Sequence, residues 1–140
     1  SLRRRTSVPI IWDELALYEE DIIQIVAEDG AEGIGLKISK NGGLTKCRRQ
    51  RDICLAAGYT MSVQDTTGSD IAFAAIVHLG QALPKKNLRC ILDCRDMVAV
   101  KTADGDFDVV NGFVSAPKTF GLGVTPRLDI LGEPILSYNN

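Results

Sequence analysis

Apolar and polar positions alternate along the first two thirds of the chain in a pattern that predicts strands and helices in turn. Short apolar runs predict buried strands, and longer stretches with apolar residues at helical spacing predict the helices between them. The predicted strands are residues 8–12, 34–38, 60–63 and 90–92. The predicted helices are residues 18–29, 44–57 and 70–83. This alternation implies an α/β fold with parallel strands joined by right-handed crossovers.

The last third of the chain follows a different pattern. Residues 98–102 and 107–115 resemble two strands of a hairpin, with its turn at residues 103–106. Glycines and prolines then interrupt the sequence up to its end and predict an irregular tail. We therefore expect one domain, with strand–helix repeats over residues 1–97 and a hairpin and tail over residues 98–140.

Charged residues stand at or just past the ends of the four predicted strands. Asp13, Lys37, Asp65 and Asp93 are separated by 24, 28 and 28 residues. Functional groups gather at the carboxyl ends of strands in parallel α/β folds, so this spacing predicts one layer of an active site. Taken alone, each of these residues is better explained as a solvated loop charge or a helix cap.

Among these four residues, Lys37 is the strongest candidate for a functional residue. It lies within the predicted strand at residues 34–38, and a strand covered on both faces is normally apolar. A lysine in that setting requires a partner or a chemical role, because burying an unpaired charge is costly.

Composition excludes several classes of function. The chain has 140 residues, of which 45% are hydrophobic and 24% charged, and these are the values of one globular domain. Its net charge of −2 lacks the basic excess of a general nucleic-acid binder. It has no apolar run of about 18 residues for a membrane span, and we expect a cytoplasmic protein.

Four cysteines, at positions 47, 54, 90 and 94, give no metal or redox motif. Their spacings differ from those of a zinc pair and from the redox Cys-x-x-Cys, and His78 is the only histidine. Cys47 and Cys54 fall on one face of a predicted helix, so we expect buried, reduced thiols.

Three segments carry a resemblance to a known family. Residues 9–14 (PIIWDE), 35–45 (GLKISKNGGLT) and 117–124 (PKTFGLGV) resemble the C-terminal part of enolase-superfamily enzymes, in the mandelate racemase/muconate lactonizing group. The resemblance covers essentially the whole chain. It implies the C-terminal half of a (β/α) TIM-type barrel, with barrel strands five to eight followed by the tail. It also implies that the N-terminal capping domain and the first half of the barrel lie upstream of Ser1.

The resemblance also implies a chemistry. In the family, carboxylates on barrel strands three, four and five bind Mg²⁺, and Asp13 matches the third of them. Glu14 is expected to support the metal or a nearby hydrogen bond. Lys37 matches the acid/base lysine of strand six, with a pKa lowered by the cation and by shielding from water. The other two carboxylates and a second lysine are expected upstream, so the Mg²⁺ site is incomplete in this chain.

Two further segments suggest the substrate. Residues 62–70 (SVQDTTGSD) and 92–97 (LDCRDM) resemble the branch that acts on proline derivatives, especially the cis-3-hydroxy-L-proline dehydratases. The resemblance implies that Asp65 or Asp93 binds the ring ammonium of the substrate. Asp65 is as readily a cap of the following helix. Arg95 is as readily a member of a salt-bridge network as a substrate contact.

Two alternatives to a dehydratase stay open. A racemase or epimerase of a proline-like amino acid needs the same two lysines, and a non-catalytic α/β module would bind a partner through its strand edges. We expect a small carboxylate or amino-acid substrate and no nucleic-acid or membrane partner. The exposed edges of a half barrel predict a homo-oligomer, and we expect the isolated chain to be inactive.

Overall fold

Four parallel strands alternate with three helices in the computed structural model of the protein, which describes residues 2–65, 68–105 and 107–138. The strands are β1 Ile11–Trp12, β2 Gly33–Lys37, β3 Thr60–Gln64 and β4 Leu88–Ile91. The helices between them are α1 Glu19–Ala27, α2 Leu44–Ala56 and α3 Asp70–Gln81. The predicted α/β alternation is confirmed, with strand and helix ends displaced by a few residues and β1 reduced to two residues.

The strands lie side by side in chain order, β1-β2-β3-β4, and every neighbouring pair is parallel. The register sets Lys37, the last residue of β2, opposite Gln64, the last residue of β3. Gly35 and Ser62 are also opposite each other. The residues that alternate with these pairs are fully buried in the core: Ile34, Leu36, Met61 and Val63. The two faces of the sheet therefore differ, with a large apolar core on one face and small or polar residues on the other.

Helix α3 is the most deeply buried of the helices, and its start is fixed by a side-chain cap. The Ser69 hydroxyl accepts a hydrogen bond from the Ala72 amide at 3.1 Å. This cap satisfies an amide that the first turn leaves unpaired, so the capping role considered for Asp65 belongs to Ser69. At the other end, a Cβ on Gly80 would lie 2.5 Å from Ile91 Cδ1, and the glycine thus permits close packing of α3 on β4.

The prediction of a hairpin between residues 98–102 and 107–115 is wrong, because a different pair of segments forms the antiparallel strands. Residues 103–105, expected to turn, form a strand β5 (Ala103–Gly105) that pairs antiparallel with β6 (Val124–Pro126). A residue distant in sequence explains the extended conformation. The Asp70 carboxylate accepts hydrogen bonds from the Thr102 and Ala103 amides at 2.7 and 3.4 Å and holds this segment extended. Asp106, placed in the expected turn, lies outside the described residues.

The remainder of the tail has little regular structure. A short helix α4 (Leu128–Leu131) follows β6, and many apolar residues of the tail are exposed, among them Phe120 and Ile135. Within the described ranges, no helix is long and apolar enough to cross a membrane.

The expected free thiols are confirmed, and two of them are shielded. All four cysteines are free, with Cys47 and Cys54 fully buried on α2 and Cys90 exposed. Burial raises the pKa of Cys47 to about 11, with a further contribution from the negative charge of Glu19. Burial also raises the pKa of Cys54 to about 12. Both groups are therefore protonated at neutral pH.

We expect iodoacetamide at pH 8 to alkylate Cys90 and to leave Cys47 and Cys54 unmodified. A thiol with a pKa of about 11 is roughly one part in a thousand thiolate at pH 8, and only the thiolate reacts. Mass spectrometry of the peptides measures the three sites, and alkylation in denaturant serves as the control. Equal labelling of Cys54 and Cys90 in the folded protein would contradict this prediction.

Candidate functional site

The four predicted strand-end residues all lie at the carboxyl edge of the sheet. Asp13 directly follows β1, Lys37 ends β2, Asp65 directly follows β3, and Asp93 comes shortly after β4. Because the four strands are parallel, their carboxyl ends open on the same side, where parallel α/β folds place their functional groups.

Lys37 lies between two carboxylates. Its Nζ is 2.9 Å from Asp13 Oδ2, and it also contacts Glu14 Oε1. The Lys37 side chain is only 12% exposed. The predicted proximity of Lys37 and Asp13 is therefore confirmed, and the strand-end lysine has the partners that its position requires.

Glu14 joins two lysines, since its Oε1 also lies 3.0 Å from Lys40 Nζ. Hydrogen bonds from Lys37 and then Lys40 lower the pKa of Glu14 to about 2. Glu14 is therefore a carboxylate at all physiological pH values, and Lys40 adds a second positive charge to the cluster.

Partial burial acts to lower the pKa of Lys37, and the hydrogen bonds from its ammonium to Asp13 and Glu14 outweigh this effect. The pKa of Lys37 accordingly lies above its ordinary value. The two carboxylates stabilise the charged form, and the lowered pKa that the resemblance implies for a site with a bound cation stays a prediction. Lys37 holds a proton at neutral pH, as a general acid must.

A further contact in the site was not predicted from the sequence. Gln64 Nε2 donates a hydrogen bond of 3.1 Å to Asp13 Oδ1, so the two oxygens of Asp13 have separate partners, Gln64 and Lys37. The contact crosses β2 above Gly35, where a Cβ would lie 3.0 Å from Gln64 Nε2 and 3.1 Å from Asp13 Oδ1. The glycine leaves room for this hydrogen bond between side chains from two non-adjacent strands.

We expect Gly35→Ala to destabilise the protein by about 1 kcal/mol, the typical net value of one hydrogen bond. The added methyl group would displace the Gln64 amide or the Asp13 carboxylate. Urea unfolding measures the difference. Ser62→Ala, at the position opposite Gly35 in the register, is the control and should change stability by less than about 0.5 kcal/mol. Equal stability of Gly35→Ala and the parent protein would contradict the prediction.

Asp93 is fully engaged by its neighbour Arg95. The guanidinium forms a bidentate pair with the Asp93 carboxylate, at 2.9 Å from Nε to Oδ1 and 2.7 Å from Nη2 to Oδ2. The same guanidinium stacks on Phe73 at 4.0 Å and on Phe107 at 5.1 Å. Hydrogen bonds from Arg95 hold the pKa of Asp93 below its usual range. Of the two readings considered for Arg95, the salt-bridge network is the one confirmed.

Asp65, unlike Asp93, has a carboxylate oxygen without a hydrogen-bond partner among the described residues. Its Oδ1 is buried and has no hydrogen-bond partner within the part of the chain that the structure describes. A buried polar atom without a partner is uncommon in folded proteins, and one explanation is a ligand that satisfies it. Thr66 and Thr67, which belong to the segment with the substrate resemblance, lie outside the described residues.

The donor chemistry at this edge suits a hard divalent cation. Asp13 and Glu14 offer carboxylate oxygens, which Mg²⁺ prefers, and Asp13 is already oriented by Gln64. Within residues 2–65, 68–105 and 107–138, no three histidine, cysteine or acidic side chains are grouped closely enough to hold a metal ion. Asp13 can therefore contribute one ligand, and other ligands would have to come from outside these residues.

Comparisons with known proteins agree on one family. The family model described as enolase C-terminal domain-like matches residues 1–130. The chain is 41% identical over 139 residues to a cis-3-hydroxy-L-proline dehydratase of Roseibium aggregatum, spanning 99% of this chain and 38% of that enzyme.

Two solved structures show the same fold. A mandelate racemase/muconate lactonizing group protein from Aspergillus oryzae is 69% identical, with a TM-score of 0.93, and the match covers 98% of this chain and 38% of that one. A protein of the same group from Roseovarius nubinhibens, complexed with magnesium, is 46% identical with a TM-score of 0.94, over 99% of this chain and 38% of that one. The chain thus spans well under half the length of these relatives.

Proposed function

The chain belongs to the enolase C-terminal domain-like family, and on that premise we propose that it is part of a Mg²⁺-dependent dehydratase that acts on cis-3-hydroxy-L-proline. The observation that carries the proposal is the position of Lys37, whose Nζ lies 2.9 Å from the Asp13 carboxylate at the carboxyl edge of the sheet. The similarity to a dehydratase of this substrate supports the choice of reaction.

The substrate carboxylate belongs beside Asp13. Mg²⁺, bound by Asp13 and by ligands outside this chain, would supply positive charge for the substrate carboxylate and for the negative charge that develops as the α-proton leaves. Gln64 keeps Asp13 oriented for this purpose through its hydrogen bond to Oδ1. Glu14 also contacts the ammonium of Lys37 and helps to keep it in place.

Lys37 acts as the general acid in this proposal. In cis-3-hydroxy-L-proline, the hydroxyl group and the α-hydrogen lie on opposite faces of the ring. A base on the far face, outside this chain, removes the α-proton, and Lys37 protonates the hydroxyl group as the carbon–oxygen bond breaks. The products are water and pyrroline-2-carboxylate, which tautomerises to the 1-pyrroline. The contacts of its ammonium with Asp13 and Glu14 suit this role, since an acid must hold its proton until the leaving group takes it.

Asp65 is the better candidate to bind the ring ammonium. The Asp93 carboxylate is already neutralised by Arg95 in a bidentate pair, so it has little capacity for a second cation. Asp65 keeps a buried oxygen for which the described residues provide no donor. A secondary ammonium group would supply the missing hydrogen bond and the compensating charge.

The test is an assay of the complete protein that contains this chain, with cis-3-hydroxy-L-proline in D₂O and Mg²⁺. We expect 1-pyrroline-2-carboxylate as product, and its formation should stop with EDTA and return with added Mg²⁺. Absence of the product from folded protein would overturn the proposal. Exchange of the α-hydrogen of proline for deuterium, with no dehydration of the hydroxylated substrate, would establish the racemase alternative instead.

A further inference from the structure

Asn41 connects the end of β2, which carries Lys37, to the loop after β1, which carries Asp13 and Glu14. It lies four residues after Lys37 in the loop between β2 and α2, and it is only 3% exposed. Its Oδ1 accepts a hydrogen bond of 2.8 Å from the Lys37 amide. Its Nδ2 donates to the carbonyl oxygens of Ala16 at 2.8 Å and Leu17 at 3.2 Å. One side chain thus binds the end of β2 and the loop that follows β1.

The backbone strengthens this connection on both sides. The Asn41 amide donates to the Lys37 carbonyl at 2.7 Å, so both backbone polar groups of Lys37 are bonded to Asn41. In the other loop, the Ala16 amide donates to the Asp13 carbonyl at 3.1 Å. The contacts of Asn41 therefore reach the backbone of Lys37 directly and the backbone of Asp13 through Ala16.

We infer that Asn41 is a positioning residue that fixes the Lys37 ammonium relative to the Asp13 and Glu14 carboxylates. An asparagine amide has two N–H donors and one carbonyl acceptor, and here all of these groups are used within the site. The inference rests on the proposed function for its effect on the reaction. Its effect on the position of Lys37 is independent of that function.

Gln50 provides a matched control. It is fully buried on α2, and its Nε2 donates to the Leu17 carbonyl at 2.9 Å, the same oxygen that Asn41 binds. No hydrogen bond among the described residues joins Gln50 to Lys37. Gln50→Met therefore removes a buried hydrogen bond to the same loop and keeps the connection between that loop and Lys37.

The experiment compares Asn41→Leu with Gln50→Met in the complete protein by two measurements. The first is the rate at which an amine reagent labels Lys37, with Lys40 as the internal reference, followed by mass spectrometry without metal or substrate. In the parent protein, the Lys37 side chain is 12% exposed and that of Lys40 is 33% exposed. The second is the kcat and KM for dehydration with Mg²⁺.

We expect Asn41→Leu to raise the labelling of Lys37 relative to Lys40 about tenfold. We also expect it to lower kcat about 10- to 100-fold with little change in KM, as is typical when a supporting contact is lost. Gln50→Met should lower the melting temperature and leave both measurements within about twofold. Unchanged labelling in Asn41→Leu, or equal changes in both variants, would overturn the inference.

A second variant applies if Asn41→Leu does not fold. Asn41→Asp keeps an acceptor for the Lys37 amide and loses the donors to Ala16 and Leu17, so labelling of Lys37 should again rise. Unchanged labelling in that variant would likewise overturn the inference. If the labelling differences appear and the complete protein does not dehydrate the substrate, the proposed function fails and the positioning role of Asn41 stands.

Discussion

Replacing Lys37 with methionine should lower kcat for the dehydration about 10²- to 10⁴-fold, the usual contribution of a general acid or base. Methionine has a similar length and cannot donate a proton, so the leaving hydroxyl group would depart without protonation. Substrate binding should be less affected, because Lys37 contacts Asp13 and Glu14 in the absence of substrate. Steady-state kinetics of the complete protein measures kcat and KM separately.

Lys40→Met is the matched control for this prediction. Lys40 carries the same charge and contacts Glu14 at 3.0 Å, and it is more exposed than Lys37. We expect its replacement to cost less than tenfold in kcat, since Lys37 stays paired with Asp13 and Glu14. Undiminished turnover in Lys37→Met would exclude the acid role. Equal decreases of kcat in the two variants would show that the loss of one positive charge, and not of a proton donor, lowers the rate.

The sequence predicts the position of the site because that position follows from local patterns. Apolar runs separated by amphipathic stretches define the strands and helices, and parallel strands bring their carboxyl ends to one edge. The sequence therefore predicts charges at this edge, and the structure has them there: Asp13, Lys37, Asp65 and Asp93. The resemblance to the family implies that Lys37 lies near a cation held by Asp13, and the structure has the Lys37 ammonium 2.9 Å from the Asp13 carboxylate.

Local sequence patterns do not predict which side chains these residues contact. The contact between Gln64 and Asp13 joins residues 51 positions apart and depends on the register of β3 against β2. Asn41 resembles an ordinary polar residue before two glycines, and its role appears only when the loop after β1 is packed against it.

Long-range contacts also explain the hairpin expectation that failed and the direction of the Lys37 pKa shift. Residues 103–105 have turn-forming composition, and bonds from the Thr102 and Ala103 amides to the distant Asp70 carboxylate keep the chain extended there. The direction of the Lys37 pKa shift depends on the balance between burial and two carboxylate partners, and spacing in the sequence does not measure that balance.

Asp65→Asn should lower kcat/KM for the dehydration about 30- to 4,000-fold. Removing one member of a buried, hydrogen-bonded charge pair typically costs about 2–5 kcal/mol, and the ammonium of the substrate would lose its counter-charge. Asparagine keeps the size of the side chain, so the packing around it should persist. The loss should also appear in the binding of L-proline, which has the same ammonium and carboxylate groups, measured by calorimetry.

Asp93→Asn separates the two acidic candidates. It removes the charge that pairs with Arg95, whose guanidinium remains stacked on Phe73 and Phe107. We expect this variant to be less stable, because a partly buried guanidinium loses its bidentate partner, and to bind L-proline within a fewfold of the parent protein. If Asp93→Asn abolishes binding and Asp65→Asn does not, the ammonium site lies at Asp93, and Arg95 must then release that carboxylate when the substrate binds.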